Sequence, residues 1–314
     1  MNSISVVMPA RNAASTIRDA VLSVLACPEL SELIVVDDQS CDDTAAIVAS
    51  LGDPRIRVIP GPGCGISASL NTGFAAARSD YVARCDADDL YPLDRFGWQL
   101  DWLEREPSFA AISGGVRSIT ETGASVADLA CSGPGRDITG ELLDGRAISH
   151  FCTWLVRRDA LAATGGARTW FSTAEDIDLM FRLAMVGHVW HEPRIAYLYR
   201  LHDASITHMT ASRRRIFFDE AATRFALQRR DGGTDDLDRG CPPVLPDAND
   251  APSRSAREIE NHLVAAVWAE WQAGRRIQAV RRALLAVRLK PASWPVWRSL
   301  VIVLVKSLAG SADR

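Results

Sequence analysis

Four short, mostly apolar runs, three of them closed by a polar cluster, constrain this chain more than any other feature. They are Ile4–Met8, Leu33–Val36, Ile56–Ile59 and Tyr81–Cys85. Strands that read as continuous apolar runs are buried on both faces, which a parallel sheet covered by helices provides. The intervening stretches carry helical spacing: Ile17, Ala20, Val21, Val24 and Leu25; a segment from Asp42 to Leu51; then Leu70, Phe74 and Ala77. Strand and helix alternating at this interval predict an α/β fold with a mostly parallel sheet. Ligands in such sheets sit outside the carboxyl ends of the strands. Pro9, Asp37 with Asp38, and Asp86 with Asp88 all fall at those ends, so one crevice is expected to collect them.

The most charged of these ends is Asp86-Ala-Asp88-Asp89. Three carboxylates at one strand end repel each other, and nothing between residues 86 and 89 supplies a cation. Hard oxygen ligands suit Mg²⁺ or Mn²⁺, and Mg²⁺ is usually held by one or two carboxylates plus substrate phosphates. The alternative reading is an Asp-rich helix start before Pro92, because Asp caps helices and favours the positive end of the dipole.

Further along, the pattern predicts a helix from Pro92 to about Glu106 and strands at Phe109–Gly114 and Ser149–Val156. Residues 116–147 give no clear periodicity. Thr173-Ala-Glu175-Asp176 reads as the start of a helix that Gly187 ends, followed by short strands at Val189–His191 and Ile195–Tyr199. Beyond Ser212 the pattern turns helical. Residues 229–256, rich in Asp, Gly, Pro and Ser, read as a linker or mobile loop, with helices expected at 256–273, 275–289 and 294–309. The expected division is a domain over 1–210 and a helical region over 211–314.

Composition removes several function classes. A net charge of −4 argues against a broadly basic nucleic-acid binder. Seven scattered cysteines with no C-x-x-C pair argue against a disulfide framework or a zinc site and for a reducing, cytoplasmic setting. The N-terminal residues read directly as a strand, so no secretory leader is expected, and no apolar run is long enough to span a bilayer. The first 289 residues contain no lysine, which excludes a P-loop and a signalling receiver domain.

Five pieces of the chain, in order, match a known pattern. They are Ser5-Val-Val-Met-Pro9-Ala-Arg11-Asn12, Ile34-Val-Val-Asp37-Asp38-Gln-Ser-Cys-Asp-Asp-Thr44, Gly65 to Asp80 with Asn71, Tyr81 to Asp89, and Thr173-Ala-Glu175-Asp176. In these, over roughly residues 3–210, the chain resembles a bacterial glycosyltransferase of family 2, of the surface-polysaccharide type. The resemblance implies a GT-A-like fold, with a mostly parallel sheet flanked by helices and a Rossmann-like nucleotide-binding half, followed here by a helical C-terminal region. It also implies inverting transfer of a sugar from a nucleotide-diphosphate donor, UDP- or dTDP-linked, to a glycan or lipid-linked acceptor, with Mn²⁺ or Mg²⁺. On the matching positions, Asp88 is the implied metal ligand and Asp86 a ribose or metal contact. Asp38 is implied to accept the base N–H, with Asp37 the less favoured candidate. Pro9, Arg11, Asn12 and Asn71 belong to the donor-binding pieces, Asp176 is the general base and Glu175 its neighbour. Arg200 and His202 occupy the place of a diphosphate clamp and a further metal ligand. Ser149-His150-Phe151 departs from the family's usual proline after the histidine, which leaves the acceptor side, where Arg157 and Arg158 also map, in doubt. The competing function class is a non-catalytic module that binds sugar nucleotide or glycan; the intact acidic residues argue against it.

The C-terminal stretch stands apart in charge. Arg254 to Lys306 holds ten Lys or Arg against three Asp or Glu, and Trp294, Trp297, Leu300, Val301, Val303 and Leu304 recur in the last helix. Two readings stay open over 275–309: an interfacial foot on the inner face of the plasma membrane, or a bundle packed on the rest of the chain.

Overall fold

The computed structural model describes residues 3–201, 212–245 and 255–309 apart from 273. The contacts divide into two compact units: residues 1–116, 129–199 and 213–248, and residues 117–128, 200–212 and 249–314.

In the first unit, β1 (Ile4–Ala10), β2 (Leu30–Asp37), β3 (Ile56–Pro60) and β4 (Tyr81–Arg84) are the four expected strands. They pair in parallel in the order β3-β2-β1-β4. Helices α1 (Ile17–Leu25), α2 (Thr44–Ala49) and α3 (Ile66–Ala76) connect them. Because the order reverses at β1, the switch point lies between β1 and β4, and a ligand crevice belongs outside their carboxyl ends. One layer of core gathers Val7, Ile34, Val36 and Leu70, and the other gathers Ile17, Val21, Val24 and Leu33, so both faces of the sheet are covered. Gly73 lets α3 lie close to the sheet, since a Cβ there would run into Val7 and Val36.

The sheet continues through α4 (Arg95–Arg105), β5 (Phe109–Ile119), β6 (Ser125–Leu129), β7 (Arg136–Asp137), α5 (Thr139–Leu143), β8 (Leu155–Arg157), α6 (Arg158–Ala163), α7 (Glu175–Val186) and β9 (His188–Arg200). The strand order past β4 is β8-β5-β9-β7, and β8 runs antiparallel to both β4 and β5. The strand expected over Ser149–Val156 is therefore shorter. It follows a 3-10 turn at Phe151–Thr153. The two strands expected after Gly187 are one continuous strand, β9, which carries Pro193 without breaking.

Arg95 holds that 3-10 turn. It is fully buried, and it donates from Nε to Gln99 Oε1 (3.1 Å), from Nη1 to the Cys152 carbonyl (2.9 Å) and from Nη2 to the Trp154 carbonyl (3.1 Å). Its guanidinium also lies 4.1 Å from the Tyr91 ring centroid. Arg95→Leu would strand these carbonyls in the core, and unsatisfied buried groups cost about 1–3 kcal/mol each. The expected result is a loss of roughly 3 kcal/mol in urea unfolding. A change under about 0.5 kcal/mol, the level of an ordinary surface substitution, would refute the clamp.

Helix α8 (Ser212–Gly232) belongs mainly to the first unit, in which Phe218, Ala222 and Phe225 join the core. The stretch from 229 does not behave as a linker in its described part. Asp235 is fully buried and paired with Arg168 (2.7 Å) and Arg229, while Arg168 and Arg182 also bind the buried Asp178 of α7. Composition alone reads that segment as loop because one anchoring partner, Arg168, lies 67 positions from Asp235; residues 246–254 are outside the described residues.

In the second unit, the end of β5 turns into β6 through a Thr120–Ala124 backbone bond. Helices α9 (Ser255–Gln272), α10 (Arg276–Leu289) and α11 (Trp294–Ala309) fall close to the three expected ranges. Val267, Ala283, Leu300 and Val303 form their shared core. No helix among the described residues is long and apolar enough to cross a membrane.

Candidate active site

The carboxyl ends of β1, β2 and β4 bring Pro9, Asp37 with Asp38, and Asp86 to one edge of the first unit. Pro9 is buried in β1 opposite Val36. Arg11 and Asn12 follow on the exposed turn. Asn12 adopts a left-handed backbone (φ 53°), and its Oδ1 accepts the Cys41 N–H at 2.8 Å. That bond clamps the β1 exit to the turn after β2.

The two carboxylates after β2 have different surroundings. Asp38 is buried, and its oxygens accept the N–H groups of Gly63 (2.7 Å) and Gly65 (3.3 Å), shaping the Pro60–Gly65 loop. A Cβ at Gly61 would lie 2.7 Å from Asp38 Oδ1, so this approach requires glycine. Asp37 Oδ1 is buried with no hydrogen-bond partner among the described residues. An orphaned buried acceptor is uncommon and calls for a reason. Asn71 is spent on scaffold: its amide donates to the Ala167 carbonyl and accepts the Ala167 N–H, both at 2.7 Å.

At the end of β4 the acidic cluster does have a cation nearby, and it precedes the motif. Arg84, the last residue of β4, is buried; its Nε donates to Asp86 Oδ1 at 2.7 Å and its Nη1 to Glu175 Oε1 at 3.1 Å. Asp86 Oδ2 accepts the Cys152 thiol at 3.3 Å, and the Asp86 N–H donates to Tyr197 Oη at 3.0 Å. Burial, then the charge of Asp86, keeps the Cys152 thiol protonated and able to donate. Asp88 is partly exposed, whereas Asp89 is buried. No group of three or more metal-capable side chains occurs among the described residues. Asp86 and Asp88 nonetheless offer the hard oxygen donors that Mg²⁺ or Mn²⁺ takes when diphosphate oxygens supply the other ligands. The donor set thus fits an ion shared with a substrate.

Glu175 and Asp176 open α7, whose first turn follows the left-handed Ala174 (φ 61°). Glu175 is buried, and its carboxyl is pushed up to about 7 by burial first and by neighbouring Asp176 second, with Arg84 opposing. Asp176 is partly exposed, and its Oδ1 accepts the Ile177 N–H at 2.9 Å. Adjacent residues at this helix start therefore face different surroundings.

Arg157 pairs opposite Tyr81, at the end of β4 away from Asp86, and with Arg158 it lines a separate polar cleft with Asp80 and Glu104. His150 is exposed and stacks on Tyr199, 6.4 Å between centroids. Arg200 belongs to the second unit, where it donates to the Glu121 carbonyl at 2.5 Å. His202 lies outside the described residues. Arg84 was missed, although an arginine inside a short apolar strand signals a buried charge that needs a partner.

Residues 5–165 match the family described as Glycosyl transferase family 2, and the chain belongs to that family. Its sheet and helices are those of a GT-A-like glycosyltransferase. Among similar proteins are a chondroitin synthase of Pasteurella multocida (strain Pm70), 26% identical over 68% of this chain, and a hyaluronan synthase of Pasteurella multocida, 26% identical over 63%. The matches span 22% and 20% of those relatives' own lengths. The succinoglycan biosynthesis protein ExoO of Rhizobium meliloti (strain 1021) is 41% identical over 29% of this chain and 27% of its own. Residues 1–349 of S. aureus TarS, solved in complex with UDP-GlcNAc, share the fold with a TM-score of 0.61, at 14% identity, over 98% of this chain and 92% of that one.

Proposed function

We propose that this glycosyltransferase moves a sugar, with inversion, from a UDP- or dTDP-linked donor to a glycan or lipid-linked acceptor in polysaccharide synthesis. The observation that carries the reading is Arg84, which bonds both Asp86 at the end of β4 and Glu175 beside Asp176. It draws the donor-side carboxylate and the start of α7 to one place. Asp37 is assigned the N3–H of the base, because its buried Oδ1 is an acceptor with no donor among the described residues; Asp38 shapes the loop beneath. Asp86 and Asp88 would hold Mg²⁺ or Mn²⁺, with diphosphate oxygens completing the ligand set. When bound, such an ion offsets charge on the departing diphosphate. Asp176 accepts the proton of the acceptor hydroxyl as its oxygen bonds to the anomeric carbon and the bond to the diphosphate breaks. Names of the relatives support polysaccharide as the product class, and the UDP-GlcNAc bound to TarS supports a uridine donor.

Thermal unfolding against nucleotide diphosphates and their sugars, with and without Mn²⁺, tests the donor half. A ligand of the native state at about 100 times its Kd adds about 2.7 kcal/mol. The expected result is a rise in Tm with one nucleotide family that requires the metal and is lost in Asp37→Ala, which removes the acceptor. No rise with any nucleotide at millimolar concentration would favour the non-catalytic module.

A further inference from the structure

We propose that α10 and α11 form a surface that docks on an anionic lipid bilayer, an inference independent of the reaction above. Helix α11 is apolar on two sides. Val296, Leu300 and Val303 face inward, buried at the helical interval. Trp294, Trp297, Val301, Leu304 and Val305 form a second stripe at i, i+3, i+7, i+10 and i+11, and all are exposed. The most open, Trp294, shows 74% of its surface. Helix α10 presents Ile277, Arg281, Leu284 and Arg288 at i, i+4, i+7 and i+11, exposed along its length.

Charge identifies the occupant. Residues 276–309 contain seven Lys or Arg and no Asp or Glu, in a protein whose net charge is −4. An ordinary solvent face mixes both signs, and this one does not. A second copy would bring the same positive charge against it, whereas anionic headgroups offset the charge while the indole and aliphatic side chains enter the boundary layer. Tryptophan suits that depth, with an apolar ring and a polar N–H. At 16 residues α11 is about 24 Å long, shorter than the ~30 Å hydrocarbon core, so it lies on the surface and does not span it.

The test is co-sedimentation of the full chain with vesicles of phosphatidylcholine, with and without about a quarter phosphatidylglycerol. Partitioning is expected to be at least about tenfold stronger on the anionic vesicles, since each basic residue near the surface contributes about fivefold. It should fade between about 0.1 M and 1 M salt as the screening length shrinks from ~10 Å to ~3 Å. Arg281→Gln with Arg288→Gln should weaken it roughly 25-fold by the same per-charge factor. Trp294→Gln with Val301→Gln should also weaken it, with Tm unchanged because both side chains are more than half exposed. Equal partitioning on the two vesicle types, or none on either, would overturn the proposal. So would a dimer in solution that disappears in Trp294→Gln/Val301→Gln while vesicle binding stays absent.

Discussion

Asp176→Asn is expected to lower kcat by about 10²–10⁴-fold, the usual contribution of a positioned general base. The Tm rise given by the nucleotide donor should remain. The amide keeps the shape and the acceptor oxygen that takes the Ile177 N–H, so α7 should start as before. What is lost is the capacity to take a proton. Glu175→Gln separates the roles of the two neighbours. Glu175 is buried against Arg84 and its carboxyl is pushed up to about 7, so its ionisation changes the field at Asp176 around neutral pH. Above that pH Glu175 places a second negative charge beside Asp176, and below it that charge is absent. The wild type is therefore expected to show a rise in kcat through about pH 7 that Glu175→Gln lacks. If Asp176→Asn instead abolished donor stabilisation and left kcat at saturation unchanged, the residue would belong to donor binding.

Much of the site was legible because parallel strands advertise themselves. β1, β2, β3 and β4 are mostly apolar runs, and the polar residues after β1, β2 and β4 fall where the topology places ligands. Residues whose role depends on a distant partner were not legible. Asn71 sits in a family motif, yet its amide is used on Ala167, 96 positions on. Asp235 lies in a stretch that composition reads as loop, and only contact with Arg168 and Arg229 makes it buried structure. β9 was split at Pro193 because proline ends most central strands. Arg84 lies inside the strand itself, and only the fold shows that its guanidinium reaches both Asp86 and Glu175.

Arg84→Gln should be the most damaging single change in the site, for stability and chemistry together. Removing one partner of a buried pair leaves uncompensated charge and costs about 3–5 kcal/mol. Here the one guanidinium serves two carboxylates, Asp86 and Glu175. Its loss leaves burial and Asp176 to push the Glu175 carboxyl further up, since Arg84 is the neighbour that lowers it. A carboxyl raised on folding takes up protons as the chain folds. Its favourable contribution is complete below the ordinary value of 4.5 and disappears as pH rises through its folded value, about 7 in the wild type. In the variant that decline should extend to higher pH, so the stability deficit against wild type widens between pH 7 and pH 9. The rise in kcat should move upward with it. Arg84→Lys should restore part of the stability but not the pH profile, because a single ammonium cannot reproduce the planar fork that reaches both oxygens. Urea unfolding across pH, alongside kcat across the same range, separates the cases. A uniform deficit with an unmoved profile would make Arg84 a packing residue. A widening deficit with a shifted profile would make it the element that couples the donor carboxylates to the base.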